Sequence, residues 1–262
     1  MPRIDSHVHA FPDRLALAVR AALEAAGPLE GSPLLPAVAE RVREAGFDGA
    51  WILPYAHRDG VAASVNEWSA AEVPRYPWLV PGATFHPADE ALPALVHRAL
   101  VELGLRVVKL HCSVGSFSPK DPRLAPLWET ASETRAPIVI HAGQKGFGDT
   151  AADELEDLPP VLEAYPRLRI VLAHSGHPAT RRTLELMERF PNLHADLTPV
   201  WDRPVDLDAA GLERFPGRFL FGSDAPNSPL APATLEDRLT TLGVSHETRA
   251  SIMGGAASEM VP

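Results

Sequence analysis

Two imidazoles spaced two residues apart, His7 and His9, end the first apolar run of this 262-residue chain. In an extended strand, residues i and i+2 share a face, so the pair presents two nitrogen ligands side by side. Three later apolar runs also stop at a group able to bind a metal: 137–141 at His141, 169–174 at His174 and 218–224 at Asp224. Taken singly, each histidine reads equally as a hydrogen-bonded strand residue, and Asp224 as a helix N-cap. Taken jointly, four strand ends bearing imidazoles and a carboxylate make one shared metal centre the more economical reading, with a structural polar network as the alternative.

Such residues need a scaffold that gathers strand ends. Short β-rich runs near 3–9, 49–54, 79–85, 106–111, 137–141, 169–174, 192–197 and 218–223 alternate with helical patterns at 36–45, 90–103, 123–135, 155–164, 178–189 and 232–242. Alternation of this kind predicts a parallel α/β sheet, and eight such units predict a closed (β/α)8 TIM barrel over 1–262 as a single domain. In that fold the active site lies at the C-terminal strand ends, where the candidate ligands fall. The Ala-rich stretch 14–26, with Leu15, Val19 and Leu23 on one side, predicts an extra helix after the first strand, and 246–260 a C-terminal closing helix. An open doubly wound sheet is the alternative, but no G-x-G-x-x-G follows the first strand.

Composition narrows the field. With 24 Lys and Arg against 34 Asp and Glu, the net charge of −10 argues against a nucleic-acid or anionic-membrane partner. Cys112 is the one cysteine, which excludes an intrachain disulfide and a Cys-based zinc site. No apolar stretch reaches about 18 residues, so no membrane span is expected. Met1-Pro2-Arg3 leads straight into the His7/His9 strand, so neither a signal peptide nor an accessory domain is expected, and the cytoplasm is the expected location. The 27 prolines are roughly twice average usage and fall mostly between elements, where they stiffen connections. The expected partner is a small-molecule substrate, anionic or neutral; a homo-oligomer is compatible with the chain.

Several stretches resemble the amidohydrolase superfamily, and within it the amidohydrolase-related group of compact barrel enzymes. They are His7-Val8-His9 after Arg3-Ile4-Asp5-Ser6, Val107-Val108-Lys109-Leu110-His111, Asp121-Pro122-Arg123-Leu124-Ala125-Pro126-Leu127, Ile138-Val139-Ile140-His141-Ala142-Gly143, Ala173-His174-Ser175-Gly176, Phe221-Gly222-Ser223-Asp224 and Ile252-Met253-Gly254-Gly255. One departure is Ala256, where similar proteins usually have Asn. The resemblance implies that His7, His9, His141 and Asp224 bind one divalent ion, most simply zinc, with manganese or iron as substitutes. It further implies that Asp224 moves the proton while His174 acts as acid/base or polarises a carbonyl; His174 as a hydrogen-bond partner of Asp224 is the competing role. Lys109 and His111 share a face near the end of the fourth strand. In some similar enzymes a carboxylated lysine bridges two ions, which here would place His7, His9 and Asp224 on the first and His141 and His174 on the second. In the mononuclear group that lysine stays a cation and holds a substrate carboxylate. The single ion is the simpler arrangement.

His57, Arg58, His86 and Trp201 also fall near strand ends and are candidate substrate contacts, as are Lys145 and Arg203; solvated charge or core packing is the plain reading of each. The glycine-rich 143–148 stretch lacks a G-K-[ST] ending, which excludes a P-loop. Gly222-Ser223-Asp224 is no G-x-S-x-G elbow, which argues against a serine hydrolase. Three functions follow: a hydrolase of small ester-, lactone- or amide-like substrates using metal-activated water, a non-oxidative decarboxylase of a small unsaturated or aromatic carboxylic acid, and a non-catalytic ligand-binding barrel.

Overall fold

The computed structural model describes residues 1–142, 155–177, 179–198, 207–228 and 232–261. Its strands are β1 (Ile4–Val8), β2 (Gly49–Ile52), β3 (Leu79–Val80), β4 (Gly82–Thr84), β5 (Val107–His111), β6 (Ile138–His141), β7 (Ile170–Leu172), β8 (Leu193–Asp196) and β9 (Phe219–Leu220). They pair in parallel as β1-β2-β3 and β4-β5-β6-β7-β8-β9. The expected third strand is thus split at Pro81, which has no N–H to offer a ladder. Just beyond it, Gly82 passes so close to the Ile52 carbonyl that any side chain there would collide with it. The ring is completed between first and last strands. Ser6 N–H donates to Phe221 O (2.9 Å), Asp224 N–H to His7 O (2.8 Å) and His9 N–H to Ala225 O (2.7 Å). The architecture is a TIM barrel, as expected.

The outer layer holds α1 (Asp13–Glu24), α2 (Leu35–Glu44), α3 (Ala62–Glu72), α4 (Leu92–His97), α5 (Cys112–Gly115), α6 (Ala125–Thr134), α7 (Leu158–Ala164), α8 (Thr180–Arg189), α9 (Ala209–Glu213), α10 (Pro232–Thr241), α11 (His246–Ala250) and α12 (Ala256–Met260). Helix α1 is the extra helix after the first strand, and α11 and α12, joined by a wide turn at 251–255, form the closing element. Helix α3 went unpredicted because its buried side is Ala62, Val65, Asn66 and Ser69, small or polar residues without apolar periodicity. Asn66 earns its burial by bonding: its amide donates to Thr84 O (3.0 Å) and its carbonyl accepts from Thr84 N–H (2.8 Å).

Strand alternation divides the buried apolar residues into two layers. Val108, Leu110, Ile138, Ile140, Ile170, Leu172, Leu193 and Phe219 belong to the large cluster that joins the strands to the helices. Trp51, Val107, Val139, Val171 and Leu220, from the alternate positions, pack with Ala256, Ala257 and Met260 of α12. This second cluster floors the barrel interior beneath the titratable strand ends. No helix among the described residues is long and apolar enough to cross a membrane.

Candidate metal centre

Strand β1 carries Asp5 and His7 on the interior face, His9 follows just past its end, and both imidazoles are buried. Each ring has its Nδ1 committed. His7 Nδ1 lies 2.7 Å from Asp196 Oδ2, and His9 Nδ1 lies 2.6 Å from Leu53 O. A carboxylate and a carbonyl only accept, so Nδ1 bears the hydrogen in both rings. In the neutral rings the two Nε2 lone pairs then meet at 3.1 Å, and Asp224 Oδ1 stands 2.9 Å from His9 Nε2 and 3.8 Å from His7 Nε2. Ligand atoms of His7, His9 and Asp224 all lie within 4.8 Å of one another. Three electron-pair donors turned on one point fit a divalent cation better than they fit each other.

Asp224 reaches this point from a left-handed backbone (φ 58°), its carbonyl accepting from Asn227 N–H (2.7 Å) and Ser228 N–H (3.0 Å). Two residues earlier, Gly222 lets the strands close up: a Cβ there would come within 2.7 Å of His7 Cβ and strike the Thr198 hydroxyl. His174 (φ 56°) and Ser175 (φ 49°) are also left-handed, a conformation that costs roughly 1–3 kcal/mol per non-glycine residue. Their hydrogen bonds hold them there. His174 N–H donates to Asp196 Oδ1 (2.8 Å), Ser175 Oγ to Asp196 O (2.7 Å) and Thr183 Oγ1 to Ser175 O (2.9 Å).

Beside this group sits a second imidazole layer. His141 stacks on His111 (ring centres 3.9 Å apart), and its Nδ1 is 3.1 Å from His174 Nε2, so His141 stands next to the three-ligand group rather than within it. His111 Nδ1 accepts from Val114 N–H (3.3 Å), the first turn of α5. Lys109, fully buried, points its Nζ at His7 Nε2 (3.1 Å).

Burial and crowding set the charges. Burial would raise Asp224, but the crowding of His9, His7 and His174 against it, any of which stabilises the anion when it holds an extra proton, outweighs burial and keeps the carboxyl well below the usual range. Asp196 behaves alike, burial being overcome by His7, His174 and Thr198. Burial, then the Lys109 charge, pushes His7 down to about 3. Burial also lowers His111, His141 and His174, and brings Lys109 down to about 8. Asp5, beneath them, is raised by burial to about 7. Asp196 and Asp224 are therefore ionised, and burial disfavours a charge on His7, His111, His141 and His174.

One wall of the mouth is aromatic. Tyr55 meets His9 and His111 edge-on (5.3 and 5.1 Å), and Phe11 lies parallel to His9 and edge-on to Tyr55 (4.9 Å). Leu15 and Val19 of α1 back this wall. Arg20, also on α1 and buried, donates to Leu29 O (2.8 Å) and to Pro226 O (3.3 Å), two residues beyond Asp224.

Other sequence candidates stand apart. His57 and Arg58 are exposed in the loop after β2. His86 ties the loop after β4 to α5, with Nε2–H donating to Gly115 O (3.0 Å) and Nδ1 accepting from Ala88 N–H (3.2 Å). Trp201, Lys145 and Arg203 lie outside the described residues. Sequence reasoning passed over Asp196, Thr198, Phe11 and Tyr55. Asp196 ends a strand just as His141 does, and the same strand-end criterion applied to 192–197 would have found it.

The amidohydrolase family model matches residues 4–262. The chain is 34% identical over 107 residues to dihydroorotase of Helicobacter hepaticus, covering 37% of this chain and 30% of that protein. It is 32% identical over 121 residues to 6-methylsalicylic acid decarboxylase of Penicillium expansum, covering 39% and 37% respectively. The matched stretches span about a third of the length of these curated relatives. A TIM-barrel protein of Bordetella bronchiseptica superposes with a TM-score of 0.77 at 21% identity, covering 99% of this chain and 98% of that one, a likeness of fold. Since the family match takes in β1 through α12 and every strand end gathered at the barrel mouth, the chain belongs to the amidohydrolase family.

Proposed function

We propose that the chain is one domain over 1–262 and acts as a metal-dependent hydrolase of a small ester-, lactone- or amide-like substrate. The observation that carries this reading is the convergence of His7 Nε2, His9 Nε2 and Asp224 Oδ1 with both Nδ1 atoms engaged elsewhere. These three would hold one divalent ion, zinc first and manganese or iron next, and His141 would join through Nε2, its Nδ1 being taken by His174. When bound, such an ion supplies Lewis acidity, which polarises a carbonyl and makes water more acidic.

The residues around it do the rest. Asp224, the most exposed member of the trio, is ionised and open to the pocket, so its free oxygen can take a proton from water and pass it to the leaving atom. His174 stands over the same space and supplies a hydrogen bond to a substrate carbonyl. Lys109 neutralises charge building beside His7 or holds a substrate carboxylate, and His111 lines the same side. Phe11 and Tyr55 exclude water from one flank. His57, Arg58 and His86 would meet the outer part of a substrate.

A second reading, non-oxidative decarboxylation of a small unsaturated or aromatic carboxylic acid, is favoured by the Phe11–Tyr55 wall, which suits a flat ring, and by the similarity to 6-methylsalicylic acid decarboxylase. One assay separates the two. Metal-loaded protein is given lactones, amides, esters and aromatic acids, with carbon dioxide release and bond cleavage followed together. Hydrolysis is expected, falling at least 100-fold in Asp224→Asn. Carbon dioxide release without cleavage would replace the first reading with the second. Metal analysis showing two ions per chain would overturn the single-ion centre.

A further inference from the structure

The carboxylate of Asp196, at the end of β8, gathers hydrogen bonds from three separate segments. Oδ2 accepts from His7 Nδ1–H on β1 (2.7 Å). Oδ1 accepts from the main-chain N–H of His174 after β7 (2.8 Å), from Thr198 N–H (3.1 Å) and from the Thr198 hydroxyl. The side chain is fully buried and has no lysine or arginine bonded to it among the described residues. Four directed donors on one carboxylate amount to a junction.

Its effect on His7 follows from donor inventory. A carboxylate only accepts, so the hydrogen of the neutral ring is drawn to Nδ1. On the opposite edge the Lys109 ammonium only donates, and it faces Nε2 at 3.1 Å. Both neighbours select the same tautomer, the one that leaves the Nε2 lone pair facing His9 and Asp224. The partner of His9 is the neutral Leu53 carbonyl, so the two ligands differ: only His7 has an anion behind it, which makes its Nε2 the stronger electron donor. Through Oδ1 the same carboxylate pins the left-handed turn that carries His174 over the site.

We propose that Asp196 is a positioning residue that fixes His7 in the Nδ1–H tautomer and registers His174 against it, so that metal ligand and acid/base group are set by one side chain. The inference rests on reading His7 as a metal ligand. Asp196→Asn tests it with little change of shape. The Asn carbonyl can still serve His174 and Thr198, but its NH2 then faces His7 Nδ1 and drives the hydrogen to Nε2.

Zinc and manganese affinities, measured by chelator competition, should fall 10- to 100-fold in Asp196→Asn, while its metal-free melting temperature stays near that of the unaltered protein. In metal-free protein carrying ¹⁵N-histidine, with His7 assigned by signal loss in His7→Asn, Nδ1 should report the protonated form and exchange roles with Nε2 in Asp196→Asn. A folded Asp196→Asn protein with unchanged metal affinity would overturn the proposal. So would an Nε2–H His7 in the unaltered protein, a measurement that holds even if the variant does not fold. If the unaltered protein takes up neither metal, the metal-centre reading fails, and the tautomer measurement still decides the role of Asp196.

Discussion

The lower and upper halves of the barrel interior stand on the same strands yet have opposite chemistry. On β5, Val107 lies in the apolar floor, while Lys109 and His111, two and four residues on, belong to the site; on β6, Val139 gives way to His141. At about 3.3 Å per residue, some 7 Å separates a layer that water leaves gladly from one in which every polar group needs a partner. Trp51, Val139, Val171 and Leu220 pack without directional demands, and their burial stabilises the fold. Above them His7, His9, His174 and Asp196 are held by named bonds, and the left-handed residues there cost stability. Stability and chemistry are thus layered along the barrel axis.

Breaking the floor should have the largest effect. Trp51→Ala removes a fully buried ring and should cost about 3–5 kcal/mol by urea denaturation, with no loss of metal stoichiometry in the protein that remains folded. A cost under about 1 kcal/mol would mean that the floor is not where the stability lies. The opposite sign is expected one layer up. Lys109→Met replaces a buried ammonium by a side chain of similar length, so metal-free protein should be equally stable or gain up to about 2 kcal/mol, while turnover is lost. A marked loss of stability would show that Lys109 is a structural member of the layer.

The smallest effect lies at the foot of β8, on the strand that ends in Asp196. His194 Nδ1 is buried without a partner among the described residues, and burial followed by the Arg218 charge lowers its pKa to about 4. The unfolded chain takes up this proton near pH 6.5 and the folded one only near 4. The contribution is therefore fully present above about pH 6.5 and is lost as the pH falls towards 4. Replacement by Gln should flatten the pH dependence of the unfolding free energy from urea titration across that window by about 1–2 kcal/mol, less than the full shift because the ring is only partly buried and water screens it. An unaltered slope would remove His194 from the account.

What could be read from the chain follows the same layering. The strands were legible because both faces are buried, giving short apolar runs, and His7, His9 and Asp224 were legible because they interrupt such runs at their ends. Helix α3 was hidden because Asn66 and Ser69 occupy its buried side, where burial is made good by bonds to Thr84 rather than by apolar surface. The break at Pro81 depends on how closely Gly82 approaches Ile52, a tertiary contact with no local trace. The Nδ1 partners of His7 and His9 escaped for a related reason. One is a main-chain carbonyl at Leu53, and the other, Asp196, closes a strand whose alternate residues are polar. His57 and Arg58 show the converse: a suitable residue type near a strand end is not thereby turned into the barrel.

Loops at the mouth of a TIM barrel usually vary as separate modules, which is how one scaffold comes to serve many reactions. Arg20 withdraws that freedom from two of them. Its guanidinium joins the extra helix after β1 to the carbonyl of Pro226 in the segment that presents Asp224. Lengthening, deleting or exchanging that helix would therefore disturb the Asp224 carboxylate, more than two hundred residues away in sequence. In a lineage or a designer's library, these two segments must change together, and specificity at this mouth should be easier to alter from the Tyr55 side.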